Sequence, residues 1–217
     1  VLVVLDRQHV GRTVDDLGAT MPREWAGYDL PREATLTAEY IATAEQELRK
    51  EGIRVVVMSD GSYSDRHARV SLHPRTGEQT LYVACHINAG GDDYGLVAHD
   101  YRSNKGGLAA SILAKALADS GLVARGVAQP VYPKGHPDDP WCKLEDETPT
   151  KFGTWKMHTT IEGIYKLPAN VVGVCYEPVF IDNRKHWADP IERLYQTTYA
   201  IGHTLAKSAI TYLESVS

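Results

Sequence analysis

Two hydrophobic periods exchange along this chain, and that exchange constrains the fold more than any other feature. Short apolar runs occur as "VLVVLD" (1–6), "IRVVVMSD" (53–60), "TLYVACHINA" (80–89) and "NVVGVCYEPVFI" (170–181). Their length and β-branched content suit strands covered on both faces. Helical spacing replaces this pattern from Glu33 to Lys50, where Leu36, Tyr40, Ile41, Ala44 and Leu48 form a stripe and Gly52 supplies a stop. A second stripe, Leu108, Ile112, Ala116 and Leu117, lies between Gly107 and Ser120, ahead of Gly121. A third runs from about Asp189 to Leu213 through Ile191, Leu194, Tyr195, Thr198, Ile201, Leu205 and Ile210. Parallel strands need long crossovers, usually helical. The order therefore predicts an α/β fold: a central, mostly parallel twisted sheet flanked by helices on both faces.

At 217 residues the chain is long enough for one domain with a substantial core, and no internal repeat divides it. A single domain over 1–217 is expected, with a long irregular loop at about 129–160 that is rich in proline and charge. Such a stretch reads as a functional loop more readily than as a linker. Its aromatic and acidic residues suit a groove for a glycan or peptide, and plain surface decoration is the alternative.

The net charge of −5 gives no basic excess for nucleic acid or an anionic membrane surface. No apolar run approaches the roughly 18 residues that span a bilayer, and no signal peptide is read ahead of Val1. Cys85, Cys142 and Cys175 form no C-x-x-C pair, which argues against a disulfide framework or a thiolate zinc site. Cys85 and Cys175 lie in apolar runs and read as buried structural thiols. Any metal ligands should then be histidine and carboxylate.

Open α/β sheets bind ligands beyond the carboxyl ends of their strands. His9 follows the first strand, His86 and Asn88 end the third, Glu177 ends the fourth, and Glu33 opens the first helix on the same side. Singly, each has an ordinary reading: a surface histidine, a carboxylate favouring the helix dipole, a solvated acid. Together they suggest more. Two histidines and one glutamate with an open position are a recurring catalytic zinc set, and a second glutamate can shuttle the proton. Strand alternation puts Asn88 on the same sheet face as His86.

Four segments, "LDRQHVG", Glu33 with its helix closing in "GIRVVVM", "VACHINA" and "VCYEPVFIDN", resemble the type 3 family of zinc-dependent N-acetylmuramoyl-L-alanine amidases. These are bacterial cell-wall hydrolases and phage endolysins. The family pattern runs "DxGHGG", a glutamate opening a long helix, "SIHxNA" and "LVExGFIxN", in the same order over nearly the whole chain. Gln8 and Val10 replace glycines of that pattern, and Ala84 and Cys85 replace Ser and Ile.

The resemblance implies hydrolysis of the amide joining N-acetylmuramic acid to L-alanine in peptidoglycan. His9, Glu33 and His86 would hold Zn2+, and Glu177 would be the catalytic acid and base. Glu39 is the alternative carboxylate ligand, about 9 Å further along the helix. Asn88 either orients a ligand or substrate, or caps a turn. The implied partners are the glycan strand and stem peptide at the bacterial cell wall, with no nucleic acid and no membrane insertion. Another zinc hydrolase such as a carboxypeptidase, or a non-catalytic peptidoglycan-binding protein, stays open at this level.

Overall fold

The computed structural model describes residues 1–9, 17–22, 31–132, 167–187 and 192–217. The strands are β1 (Leu2–Arg7), β2 (Arg54–Met58), β3 (Thr80–Cys85), β4 (Tyr94–Asp100), β5 (Arg125–Val131) and β6 (Val171–Glu177). The helices are α1 (Glu33–Lys50), α2 (Tyr63–Val70), α3 (Asn104–Asp119), α4 (Arg184–Trp187) and α5 (Glu192–Ser215).

All six strands join one sheet in the order β2-β1-β3-β6-β4-β5. The strands β2, β1, β3 and β6 run parallel, and β5 is parallel to β4. Among the described strands, β4 and β6 form the one antiparallel pair. The expected mostly parallel sheet is present, and its four foreseen strands are the parallel block. Two further strands, β4 and β5, extend it beyond β6. Pro130 lies in β5, where an edge position tolerates a missing N–H. Since β5 runs to Val131, the first residues of the expected loop are strand; residues 133–160 lie outside the described residues.

Alternation along the strands feeds two cores. Val3 and Leu5 of β1, Leu81 and Val83 of β3, and Val174 of β6 face one side with residues of α1, α3 and α5. Leu2, Val4, Tyr82, Ala84 and Cys175 face the other, where Val70 of α2 joins them. Helices thus cover both faces. Cys85 and Cys175 are buried free thiols, as expected of them. The segment between β2 and β3, which shows no apolar stripe in the sequence, contains helix α2. A capping box starts it: Ser62 accepts from the Asp65 N–H, and Asp65 accepts from the Ser62 N–H.

Helix α1 has Glu33 in its first turn and Arg49 and Lys50 in its last, the arrangement its dipole favours. It crosses α5 at Gly202, where an added Cβ would lie 2.4 Å from the Tyr40 carbonyl oxygen and 2.6 Å from Thr43 Cβ. Beside that crossing, His203 Nδ1 meets the Glu47 carboxylate at 2.8 Å. Among the described residues no helix is long and apolar enough to cross a membrane.

Candidate metal centre

The carboxyl ends of β1, β3 and β6 and the start of α1 gather at one edge of the sheet. The Arg7 guanidinium donates from Nε and Nη2 to the Ala34 carbonyl at 3.1 and 2.9 Å, tying the end of β1 to the first turn of α1. The Gln8 N–H still donates to the Cys85 carbonyl at 3.3 Å. His9 then turns left-handed, with φ of 55°, the sole non-glycine positive φ among the described residues. An L-residue pays a steric cost there, so the surroundings must hold it. The turn breaks strand alternation and leaves the His9 ring buried, with Nε2 3.4 Å from Glu33 Oε1.

Glu33 is only 3% exposed, unusual for a carboxylate in a first helical turn. Its Oε1 accepts the Ile87 N–H at 3.0 Å and lies 3.1 Å from His86 Nδ1. Its Oε2 accepts the Ala19 N–H at 2.9 Å, while its own N–H donates to the Ala19 carbonyl at 2.9 Å. Gly18 permits this approach. Its φ is 73°, and a Cβ added there would sit 2.4 Å from Glu33 Oε2.

The His86 N–H continues the β3–β6 ladder by donating to the Tyr176 carbonyl at 2.9 Å, and the His86 carbonyl accepts from the Tyr40 hydroxyl at 3.0 Å. The His86 and His9 rings meet edge to face, centroids 5.2 Å apart. Among the described residues, buried His86 Nε2 has no hydrogen-bond partner.

One ligand atom from each of His9, Glu33 and His86 lies within 4.8 Å of the other two. A tetrahedral ion with bonds of about 2.0–2.1 Å spaces its ligand atoms by about 3.3 Å. The 3.4 and 3.1 Å separations from Glu33 Oε1 fall on either side of that value. Two imidazole nitrogens and one carboxylate oxygen are also the donor chemistry zinc takes. The residues fit the ion.

Charge reinforces the geometry. Burial works to raise the Glu33 pKa, but the hydrogen bond and charge of His86, the charge of His9 and the Ala19 N–H leave it below the usual value. Burial works to lower the His86 pKa, and the Glu33 carboxylate overcomes this and raises it. The cluster holds an ionised carboxylate away from water and favours positive charge beside it.

Glu177 ends β6. Cys85 pairs with Tyr176 in register, so the next step of the ladder sets His86 alongside Glu177. Burial pushes the Glu177 carboxyl up to about 7, with the His86 charge opposing and the Glu33 charge adding to the rise. A carboxyl so placed can take up and release a proton near neutral pH.

Of the other candidates, Asn88 accepts the Ala89 N–H on Oδ1 at 2.8 Å, and its backbone bridges Val179 and Ile181. Glu39 lies on the exposed face of α1, apart from the cluster.

Sequence reasoning missed a buried network just beneath His9. Arg66 Nε lies 2.6 Å from Asp6 Oδ1, both side chains being almost fully buried. Arg66 also donates from Nη1 to the Gly61 carbonyl at 2.6 Å and from Nη2 to Gln8 Oε1 at 3.2 Å. Gln8 Nε2 donates to Asp6 Oδ2 at 2.6 Å, and the Tyr82 hydroxyl donates to the same oxygen. The available signal was an acid closing an apolar strand, because such a residue needs a buried cation or donors.

No protein-family model and no curated protein matches the sequence. Solved structures do match. The N-acetylmuramyl-L-alanine amidase Ami1 from Mycobacterium smegmatis superposes with a TM-score of 0.65 at 16% identity, covering 99% of this chain and 97% of that one. The catalytic domain of CwlV, an N-acetylmuramoyl-L-alanine amidase from Bacillus (Paenibacillus) polymyxa var. colistinus, gives 0.63 at 16% identity over 98% of each chain. Cwp6 from Clostridium difficile gives 0.63 at 18% identity over 95% of this chain, which spans 29% of Cwp6. The strand order and the α/β layering described above thus belong to a chain with the fold of N-acetylmuramoyl-L-alanine amidase catalytic domains.

Proposed function

We propose that residues 1–217 form one catalytic domain, a zinc-dependent amidase that hydrolyses the bond between N-acetylmuramic acid and L-alanine in peptidoglycan at the bacterial cell wall. The observation carrying this reading is the convergence of His9, Glu33 and His86, with Glu177 alongside, at one sheet edge of an amidase-like fold. His9 Nε2, Glu33 Oε1 and His86 Nδ1 would hold the ion. Bound zinc supplies Lewis-acid polarisation of the scissile carbonyl and acidifies the attacking water.

The chain's own residues do the rest. Glu33, fixed by the Ile87 and Ala19 N–H groups, keeps its charge inside the protein and would serve as the anionic ligand. Glu177 takes the proton from the attacking water on its carboxylate and returns it to the departing amine of L-alanine. Its raised pKa suits both transfers, since the carboxyl gains and loses a proton at little cost near pH 7.

The test combines elemental analysis of the purified protein with digestion of purified cell walls. About one zinc per chain and new L-alanine amino termini are expected. Glu177→Ala should keep the zinc and lose hydrolysis by about 100-fold or more. Free D-alanine in place of new amino termini would establish a carboxypeptidase. Zinc-free protein with intact walls would sink both enzymatic readings.

A further inference from the structure

We propose that Gln8 is a positioning residue for His9: its side-chain amide clamps the end of β1 onto the buried Asp6–Arg66 pair and so holds the metal-facing backbone turn. The inference rests on the zinc reading above and concerns how the first ligand is kept in place.

Gln8 is fully buried, which is uncommon for a glutamine, and both ends of its amide are used. Oε1 accepts from Arg66 Nη2 at 3.2 Å and Nε2 donates to Asp6 Oδ2 at 2.6 Å. Its backbone N–H donates to the Cys85 carbonyl at 3.3 Å. Gln8 is thus fastened through side chain and main chain immediately before the left-handed turn at His9.

Two anchors stand behind it. Arg66 reaches from α2 and is itself held by the Gly61 carbonyl at 2.6 Å, and Asp6 also accepts from the Tyr82 hydroxyl of β3. The amide therefore links the His9 backbone to α2 and to the sheet at once. A left-handed L-residue persists only where neighbouring contacts over-determine it. The Gln8 clamp is such a contact, and it lies on the chain side that enters the turn. Loss of the clamp frees the turn to relax and moves His9 Nε2 out of reach of Glu33 Oε1.

The test measures zinc affinity of the full chain by competition with a chromogenic chelator, with the apo-protein melting temperature as the folding control. Gln8→Met keeps the volume and removes both amide bonds. It should weaken zinc binding by about 10- to 100-fold at unchanged stoichiometry, the usual loss when a group that supports a ligand is removed. Gln8→Asn, too short to span Asp6 and Arg66 together, carries the same expectation and serves if the first variant fails to fold. Tyr82→Phe removes a neighbouring bond to Asp6 and leaves the Gln8 bonds in place. It should lower the melting temperature and leave affinity within about threefold. In a His9→Ala background, Gln8→Met should cost no further affinity, because its effect passes through His9.

Wild-type affinity in both Gln8 variants overturns the inference. So does an equal loss with and without His9, or a loss in Tyr82→Phe as large as in Gln8→Met. If the wild-type chain takes up no zinc, the metal reading fails first and the inference falls with it.

Discussion

Replacing Gly18 by alanine tests how tightly Glu33 is held. Gly18 adopts φ of 73°, and its missing Cβ would lie 2.4 Å from Glu33 Oε2, 2.8 Å from Glu33 Cβ and 2.9 Å from Glu33 Cδ. Ordinary contact begins near 3.4 Å, so the carboxylate must retreat by about 1 Å from a position that a metal tolerates to about 0.2 Å. The retreat also breaks the Ala19 N–H bond to Oε2. The left-handed backbone costs alanine about 1–2 kcal/mol, and a lost charge-assisted bond adds about 1.5–3 kcal/mol. Gly18→Ala should therefore lose about 2.5–5 kcal/mol of stability in urea unfolding and bind zinc at least tenfold more weakly. Gly52 provides the control. Its φ is 74°, and nothing lies within 4 Å of its added Cβ. Gly52→Ala should cost only the backbone term, about 1–2 kcal/mol, with zinc affinity unchanged. Equal destabilisation by the two substitutions, together with full zinc affinity in Gly18→Ala, would refute the close-approach argument.

Glu33→Gln should abolish stoichiometric zinc in elemental analysis, whereas Glu39→Gln, on the exposed face, should retain it. Arg66→Met leaves Asp6 buried without its cation and should cost about 3–5 kcal/mol in denaturant unfolding. Glu78 is held down to about 2 by its hydrogen bond to Arg54, against the effect of burial and with help from the Arg75 N–H and the Arg54 charge. A depressed carboxylate stabilises above its ordinary pKa of 4.5 and loses that contribution as pH falls through about 2. Because Arg54 is partly exposed, screening reduces the effect to about 1 kcal/mol. Glu78→Gln should show that deficit at pH 6 and converge with the wild type near pH 2, as read from urea unfolding midpoints.

The strands and helices that bury one continuous stripe or run were legible because their periodicity survives in the residues themselves. The stripe through Leu36, Tyr40, Ile41, Ala44 and Leu48 is the buried face of α1. Glu33 and Glu39 both stood as candidate ligands in the sequence, and burial distinguishes them: Glu33 is buried in the first turn of α1, whereas Glu39 lies on its exposed face. His9, Glu33 and His86 came together because each ends or begins an element at the same sheet edge. Helix α2 stayed hidden because Arg66 occupies a buried position where periodicity looks for an apolar residue. Strands β4 and β5 were missed for another reason. "YGLVAHD" has a short apolar centre and "RGVAQPV" contains Gln129 and Pro130, so pairing partners make them strands more than composition does. The Gln8 network and the Gly18 approach depend on atoms distant in sequence, and no local pattern encodes them.

The position of β6 has a consequence for how the molecule comes into being. It is the last of the described strands yet lies inside the sheet, between β3 and β4. Until it arrives, β2-β1-β3 and β4-β5 are two separate ribbons with open facing edges, and only residues 171–177 can join them. That same strand carries Glu177. Sealing the sheet, fastening the His86 backbone to Tyr176 and delivering the proposed proton carrier are therefore one event.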